Sequence, residues 1–203
     1  EAYEQYKAQR EETPEAIRLS VPIIKDIIRA YRIPILEIAG YEADDVIGTL
    51  ATKAGQQGIT TYMMTPDKDY GQLVTDHVFM YRPKYGDKEF EVMGVEQVKA
   101  KFDIQSPVQV IDMLGLMGDA SDNIPGCPGV GEKTAQKLIA EFGSIENLLE
   151  HTDQLKGALK IKVETNREMI TFSKFLATIK TDVPIKLDMD ALVREQADEE
   201  ALR

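Results

Sequence analysis

Cysteine is nearly absent from this 203-residue sequence, which contains Cys127 alone. A single cysteine cannot form an internal disulfide, and this scarcity predicts a reducing, cytoplasmic compartment. The sequence also lacks an apolar run long enough to cross a bilayer, and its first residues show no secretory signal pattern. The chain opens with Glu1 rather than Met, inside a polar helical stretch. We therefore expect a fragment of a longer protein.

Basic side chains are in short supply, because 24 Lys and Arg face 35 Asp and Glu, for a formal net charge of −11. Phosphate contacts need Lys and Arg, so this charge argues against a simple nucleic-acid binder. Two bound divalent cations would still leave an acidic total of −7, which is −11 plus 4. The two histidines, His77 and His151, lack obvious partners for a Ser-His-Asp or Cys-His site. Motifs must therefore indicate the function.

The first long helix is predicted to begin with Thr13 as its cap and Pro14 at its first helical position. Apolar residues follow at helical spacing and predict one buried face, formed by Ile17, Val21, Ile24, Ile28 and Tyr31.

Strands and helices alternate over the first half of the chain, and helical patterns dominate the second half. Strands are predicted at 33–38, 59–64, 78–81 and, at an edge, 88–93, with a helix at 42–57 and a short helix or turn at 67–73. Further helices are predicted at 94–102, 106–118, 131–142, 144–150 and 153–177, before a charged tail at 196–203. The alternation predicts an α/β fold with a largely parallel sheet. We expect a core at 1–105 and a helical subdomain at 106–203.

Acidic residues cluster at three places where predicted elements meet. In chain order the clusters are Glu42, Asp44 and Asp45; Asp67 and Asp69; and Asp119 and Asp122. Each has an ordinary structural alternative, because acids favour the first turn of a helix and aspartates cap helices and turns. In an open α/β sheet, however, the ligand crevice lies outside the carboxyl ends of the strands. The first two clusters follow predicted strands and should project into that crevice.

Seven converging carboxylates would repel one another and raise each other's pKa values. Hard divalent ions such as Mg²⁺ or Mn²⁺ relieve this repulsion, because they prefer carboxylate oxygens. Two such ions about 4 Å apart are the usual device for phosphodiester hydrolysis. The joint pattern therefore predicts metal-assisted hydrolysis.

A glycine-rich segment at 128–135 predicts a hairpin between two helices. Glycines let a backbone approach a phosphate closely, the next helix N-terminus offers free N–H groups, and Lys133 and Lys137 add charge. An ordinary helix connection is the structural alternative. A nucleotide-binding P-loop is the functional rival, since Gly126–Thr134 nearly matches GxxxxGK[ST]. Glu132 interrupts that match and no predicted strand precedes it, which disfavours an NTPase.

These strings together resemble the 5′-nuclease domain of bacterial DNA polymerase I. In order, they are Gly40–Asp45, Thr65–Asp69, Gly118–Gly126 and Gly129–Ala135. The resemblance implies a PIN-like α/β core with a helix-three-turn-helix DNA-binding subdomain, which removes 5′ flaps and RNA primers. It implies that the seven acids form a metal site for Mg²⁺ or Mn²⁺, with two ions in the intact domain. Some of these acids would bind metal directly and others through water.

The resemblance also assigns residues that contact DNA. Tyr6–Arg10 resembles a helical arch, in which Lys7 would stabilise charge on the scissile phosphate and Arg10 would assist. Tyr6 would stack on a base or simply pack, and a solvated basic helix face is the alternative for the two cations. The hairpin would hold the duplex backbone, with K⁺ on its carbonyls, through Gly129, Val130, Gly131, Lys133, Thr134 and Lys137.

One departure from the family pattern concerns the N-terminus. Family members begin with a strand that bears an Asp, and a second strand Asp precedes the arch, whereas this chain starts inside the arch. Two hypotheses follow: this chain has little nuclease activity and binds metal weakly, and its exposed sheet edge favours dimerisation or strand exchange. The expected partners are branched or nicked duplex DNA with a 5′ flap and a linked polymerase domain, in the bacterial cytoplasm at the nucleoid. The alternative function is a DNA-binding module without catalysis.

Overall fold

The computed structural model describes residues 6–8, 11–83 and 89–203. The α-helices in these ranges are α1 Glu15–Ala30, α2 Ala43–Gln56, α3 Val95–Phe102, α4 Val110–Met117, α5 Glu132–Phe142, α6 Ile145–Glu150, α7 Gly157–Thr165 and α8 Arg167–Ala177. The strands are β1 Thr61–Met64, β2 Val78–Pro83 and β3 Phe90–Met93. Short 3-10 helices cover Lys68–Leu73, Pro107–Gln109 and Thr152–Gln154. No helix in the described ranges is both long and apolar enough to span a membrane.

The described strands form one sheet in the order β1-β2-β3. β1 and β2 are parallel, with Thr61 opposite Val78, while β2 and β3 are antiparallel, with Met80 opposite Met93. The α/β class is confirmed, and β3 lies at an edge as predicted. The largely parallel arrangement is found only between β1 and β2, because β3 follows β2 as a hairpin partner.

Small residues let α2 pack closely on its neighbours. A Cβ added at Gly55 would lie 2.8 Å from a Val78 methyl, and one at Gly48 would lie 2.7 Å from an Ile179 methyl. The segment after α8 is thereby held against α2, where Asp45 Oδ1 accepts a hydrogen bond of 3.0 Å from the Lys180 amide. These contacts fix the first turn of α2, which carries the first acidic cluster.

Helix α4 lies at the centre of the helical part and packs against α5 and α8. Its Asp112 is buried and accepts hydrogen bonds from the Ile145 amide at 2.9 Å and from Lys174 Nζ at 2.6 Å. The helix ends at Gly118, whose φ of +74° suits glycine. A Cβ at Gly126 would lie 2.3 Å from the Gly118 nitrogen, so the loop folds back tightly on this helix end and fixes the third acidic cluster.

Two predictions for the first helix are wrong. Helix α1 begins at Glu15 with Pro14 as its N-cap, and no Thr13 side chain caps it. The Pro14 carbonyl itself accepts hydrogen bonds from the first-turn amides, so the proline lies one position outside the helix. The predicted buried face is largely exposed, at 41 to 54% for Ile17, Val21, Ile24 and Tyr31. In the part of the chain that the structure describes, these side chains stay about half exposed, and Ala30 is the helix residue that is buried.

Three other boundaries also differ from the prediction. Residues 33–38 form no strand, because no strand in the described ranges pairs with them. Strand β1 begins at Thr61 rather than at 59, and Met63 is its one buried residue. The helix predicted at 153–177 is divided at Asn166, whose side-chain amide donates a hydrogen bond to the Lys162 carbonyl. The remaining predicted helices are confirmed within a few residues, including the short one before Val74.

The charged tail at 196–203 contacts the end of α1. The Asp198 amide donates a 2.7 Å hydrogen bond to the Ala30 carbonyl, and Arg32 contacts the Asp198 carboxylate at 3.3 Å. The tail therefore returns to the end of α1, although it contains no helix.

Candidate active site

The seven predicted acids come together around two adjoining cavities. The first cavity is lined by Glu42, Asp44, Asp45, Asp69 and Asp122, and the second by Asp67, Asp69, Asp119 and Asp122. Because Asp69 and Asp122 line both, the two cavities form one region, which we call the acidic crevice. It lies past the carboxyl end of β1, at the start of α2 and after α4, which agrees with the position expected from the sheet.

The first cluster is oriented by hydrogen bonds at the start of α2. The Glu42 amide donates to Asp45 Oδ2 at 3.4 Å, and Asp45 Oδ1 accepts from the Lys180 amide. Asp44 Oδ1 accepts a 2.8 Å hydrogen bond from the hydroxyl of Tyr70. Burial, together with this bond to a carboxylate, raises the pKa of Tyr70, so its hydroxyl keeps the proton that it donates.

The second cluster contains a carboxylate in an unfavourable environment. Asp67 caps the 3-10 helix that follows β1, because its Oδ1 accepts from the Asp69 amide at 3.0 Å. Asp69 Oδ1 is buried and has no hydrogen-bond partner in the described part of the chain. Burial, followed by the charges of Asp67 and Asp119, raises the pKa of Asp69 to about 7. A nearby cation would therefore stabilise the ionised form of Asp69.

The third cluster is stabilised by a lysine. Asp119 is buried, with Oδ1 accepting from the Ser121 amide at 2.9 Å and Oδ2 lying 2.5 Å from Lys68 Nζ. Burial opposes ionisation, but the bonds from Lys68 and Ser121 outweigh it and lower the pKa of Asp119. The same contact raises the pKa of Lys68 against its own burial. The pair is therefore charged at neutral pH.

Lys7 contacts two acids of the acidic crevice. Its ammonium lies 2.5 Å from Glu42 Oε2 and 3.8 Å from Asp122 Oδ2, and its amide donates to the Asp122 carbonyl. Burial lowers the pKa of Lys7, but hydrogen bonds to Glu42 and Tyr6 raise it overall. Tyr6 is half-buried and packs against the core, with its ring 4.8 Å from the Lys7 ammonium. Arg10 lies outside the described residues.

The crevice offers the oxygen donors of a divalent-cation site, but in the described ranges they are not arranged as a set of metal ligands. Over residues 6–8, 11–83 and 89–203, no three His, Cys, Asp or Glu side chains are arranged to hold a metal ion. Ammonium groups instead engage Glu42 and Asp119. The donors are nevertheless carboxylate oxygens, which Mg²⁺ and Mn²⁺ prefer, and Asp69 contributes a buried oxygen without a partner. On donor type and on this orphaned oxygen, the residues fit such an ion.

The glycine hairpin joins α4 to α5. Because a helix rather than a strand precedes it, the P-loop alternative is not supported. Gly129 has a φ of +76°, and Gly131 caps α5 with open space where a Cβ would be. Lys133 and Lys137 are exposed and Thr134 is half-buried, whereas Val130 is 4% exposed. Val130 therefore offers only its backbone to a ligand.

Sequence reasoning missed three side chains that the structure places at these sites. Lys68 is absent from the predicted site, although its position between two aspartates is a usable signal. Tyr70, which orients Asp44, carried no signal in the sequence. Lys162, on α7, donates a 3.3 Å hydrogen bond to the Gly129 carbonyl and brings a further cation to the hairpin.

Curated relatives of this chain are bacterial DNA polymerases. The DNA polymerase I of Bacillus caldotenax is 43% identical over 201 residues, which are 98% of this chain and 23% of that protein. The enzyme of Bacillus subtilis is 44% identical over 191 residues, covering 94% and 22%. The thermostable enzyme of Thermus filiformis is 41% identical over 204 residues, covering 100% and 24%. The chain thus spans less than a quarter of the length of these relatives.

Solved structures of other proteins share this fold. A bacteriophage T5 flap endonuclease complexed with DNA and metal ions superposes with a TM-score of 0.71 at 23% identity, covering 87% of this chain and 68% of that one. The catalytic core of Rad2 with DNA substrate gives 0.61 at 16% identity, covering 95% and 62%. At these identities the likeness shows the fold.

Two family profiles match consecutive parts of the sequence. Residues 1–103 match the N-terminal resolvase-like domain of 5′-3′ exonucleases, and residues 105–200 match their C-terminal SAM fold. The expected combination of an α/β core and a helical subdomain is thereby confirmed. With relatives above 40% identity along nearly its whole length, the chain belongs to the 5′-3′ exonuclease family, in the form found in DNA polymerase I.

Proposed function

We propose that this chain belongs to the metal-dependent nuclease part of a DNA polymerase I, which hydrolyses phosphodiester bonds in DNA with a 5′ flap. The observation that carries the proposal is the convergence of seven acids, from three separate segments, on one crevice. So many carboxylates repel one another unless cations are bound, and phosphodiester hydrolysis is the reaction that paired divalent ions support. The match to DNA polymerases I supports the substrate and the linked polymerase.

The chain's own residues have distinct parts in this proposal. Two Mg²⁺ or Mn²⁺ ions, held by the seven acids, would supply an activated water and stabilise the attacking and leaving oxygens. Tyr70 and the Lys180 amide orient Asp44 and Asp45. Lys7, which pairs with Glu42 at the crevice, would neutralise charge on the scissile phosphate, and Arg10 would assist it.

The hairpin would hold the duplex beside the crevice. The first amides of α5 and the exposed Lys133 and Lys137 offer phosphate contacts. The contact of Lys162 with the Gly129 carbonyl indicates that this loop attracts cations, which supports K⁺ binding there. We assign residues 1–105 to the nuclease core and 106–203 to the DNA-binding subdomain, a division supported by the family boundary near residue 104.

A DNA-binding module without catalysis is the second candidate. It is favoured by the absence, over the described ranges, of three acids arranged to hold a metal ion, and by the ammonium groups that engage Glu42 and Asp119. In that case the hairpin would act alone.

A flap-cleavage assay separates these functions. A labelled 5′-flap DNA is incubated with the chain in Mg²⁺, in Mn²⁺ and in EDTA, and binding is measured by fluorescence anisotropy in EDTA. A form extended at the N-terminus is assayed in parallel, because we expect this chain to have low activity. We expect metal-dependent cleavage that Asp122→Asn abolishes and that Asp76→Asn, at an exposed turn, leaves unchanged. Binding without cleavage by either form would favour the second candidate, and failure of both forms to bind or cut would refute both.

A further inference from the structure

Two basic side chains line the acidic crevice without taking part in its ion pairs. Arg82, at the end of β2, and Lys101, on α3, share the second cavity, of about 640 Å³, with Asp67, Asp69, Asp119 and Asp122. We call Arg82 and Lys101 the basic wall. Neither residue belongs to the acidic clusters, the hairpin or the segment around Lys7. Their presence in a cavity dominated by carboxylates therefore needs its own explanation.

Within the described residues, neither Arg82 nor Lys101 forms an ion pair. Glu91 is the partner of Arg82 in the β2–β3 register, yet the two charges do not meet. By contrast, Lys68 in the same cavity is paired with Asp119. The basic wall is thus not the counterion of the acids that share its cavity.

The guanidinium of Arg82 is incompletely satisfied. Its Nε is buried and has no hydrogen-bond partner in the described part of the chain, while its Nη1 contacts only the Met93 sulfur, at 3.4 Å. Sulfur is a weak acceptor, and a buried donor without a partner costs about 1–3 kcal/mol. Such a group in a native protein calls for a ligand or another specific role.

Lys101 lies near two other cations. Burial lowers the pKa of Lys101, and the nearby charges of Arg82 and Lys68 lower it further, while Glu91 opposes them. Its ammonium also lies 5.7 Å from the centre of the Phe102 ring, and this contact restrains the Lys101 side chain. Two mutually repelling cations with open hydrogen-bond donors favour an anion between or beside them.

We infer that the basic wall, Arg82 and Lys101, binds a phosphate of the nucleic-acid strand next to the phosphate held at the carboxylates. This inference rests on the proposed function. The second cavity shares Asp69 and Asp122 with the first, so a strand in the crevice passes the basic wall. Arginine presents a planar fork suited to phosphate oxygens. A strand rather than free phosphate fits, because four carboxylates repel an untethered phosphate, whereas a strand is held by other contacts as well.

Binding of a labelled 5′-flap DNA in EDTA, where no hydrolysis occurs, tests this inference. The variants are Arg82→Met and Lys101→Met, which keep the apolar stems. The matched control is Lys99→Met on the same helix, whose lysine pairs with Glu96 and lies outside the cavity. Each test variant should bind roughly tenfold more weakly than wild type, and the slope of log K against log salt should become shallower by about 0.9 for each lost phosphate contact. The control should bind within about twofold of wild type.

Three results would overturn the inference. The first is that Arg82→Met and Lys101→Met bind flap DNA as tightly as the Lys99→Met control does, with the wild-type salt slope. The second is stabilisation of wild type, but not of the variants, by millimolar inorganic phosphate alone, which would assign the wall to free phosphate. The third is wild type that does not bind flap DNA, which would refute the proposed function as well. Arg82→Lys controls for a folding defect in Arg82→Met. Because it keeps the positive charge, it should recover part of the DNA affinity that Arg82→Met loses.

Discussion

The environment of Asp69 predicts that the metal-free protein loses stability as pH rises. Its pKa is raised from an ordinary value of 3.8 to about 7, first by burial and then by the charges of Asp67 and Asp119. A raised pKa means that the folded state holds this proton more tightly than the unfolded state does. The resulting stabilisation is complete below about pH 4 and is lost as pH rises through about 7.

The size of this effect follows from the shift. About three pKa units, at about 1.36 kcal/mol each, set a ceiling of about 4 kcal/mol. Water entry and side-chain movement in an open crevice reduce the penalty on the ionised form, so we expect about 2 kcal/mol between pH 5 and pH 8. Asp69→Asn mimics the protonated carboxyl and should remove this part of the pH dependence. At pH 8 without metal, the variant should therefore be more stable than wild type.

Urea unfolding in EDTA at pH 5 and pH 8 provides the measurement. Asp76→Asn is the control, because it removes an exposed carboxylate outside the crevice and should leave the pH dependence unchanged. Added Mn²⁺ at pH 8 should stabilise wild type more than Asp69→Asn, since the variant lacks one of the carboxylates proposed to attract the ion. Equal pH dependence in wild type and Asp69→Asn would show that the carboxylate of Asp69 is not destabilised in the fold, and the argument would fail.

Three further predictions concern the cations and the metal. Lys68→Met leaves buried Asp119 without its ion-pair partner, so the metal-free protein should lose about 1–3 kcal/mol of unfolding free energy. Titration calorimetry should also show tighter Mn²⁺ binding to this variant, because the ammonium that competes with the metal is gone. Lys174→Met removes the ion-pair partner of buried Asp112 and should lower the unfolding free energy, measured in urea, by about 3–5 kcal/mol. Lys160→Met removes an exposed ion pair with Glu164 and should lower it by less than about 0.5 kcal/mol. Removal of Mn²⁺ by EDTA at pH 8 should lower Tm by several degrees in a thermal scan; an unchanged Tm would contradict metal binding at the crevice.

The position of the acidic crevice could be predicted from local sequence. Asp67 and Asp69 follow an apolar run, and Glu42 begins a helical pattern, so both clusters had to lie at element ends. The carboxyl end of β1 accounts for the position of Asp67 and Asp69. The first cluster follows residues 33–38, which form no strand, so its position comes from the start of α2 instead. Asp67 also does the local work that its structural alternative described, because its carboxylate caps the 3-10 helix. Local capping and a shared crevice are therefore not exclusive.

The failures share one physical cause. Periodicity in α1 identifies which side chains lie on one face, but not whether another element covers that face, and Ile17 and Val21 are exposed here. Likewise, the β-forming residues at 33–38 need a partner strand, and none pairs with them in the described ranges. Burial and pairing are properties of the assembled chain. A pattern of side chains states only the preference.

Two lysines from different segments form ion pairs with acids of the crevice. Lys68 stands between two acids in sequence yet pairs with Asp119, and Lys7 comes from a distant segment to meet Glu42. Because these ammonium groups neutralise part of the cluster, the acidic crevice has internal counterions. This distinguishes the site from small zinc domains, in which the metal supplies the folding energy. Metal binding must then compete with internal charges, so affinity can be adjusted at Lys68 without altering a carboxylate, which is the change that Lys68→Met makes.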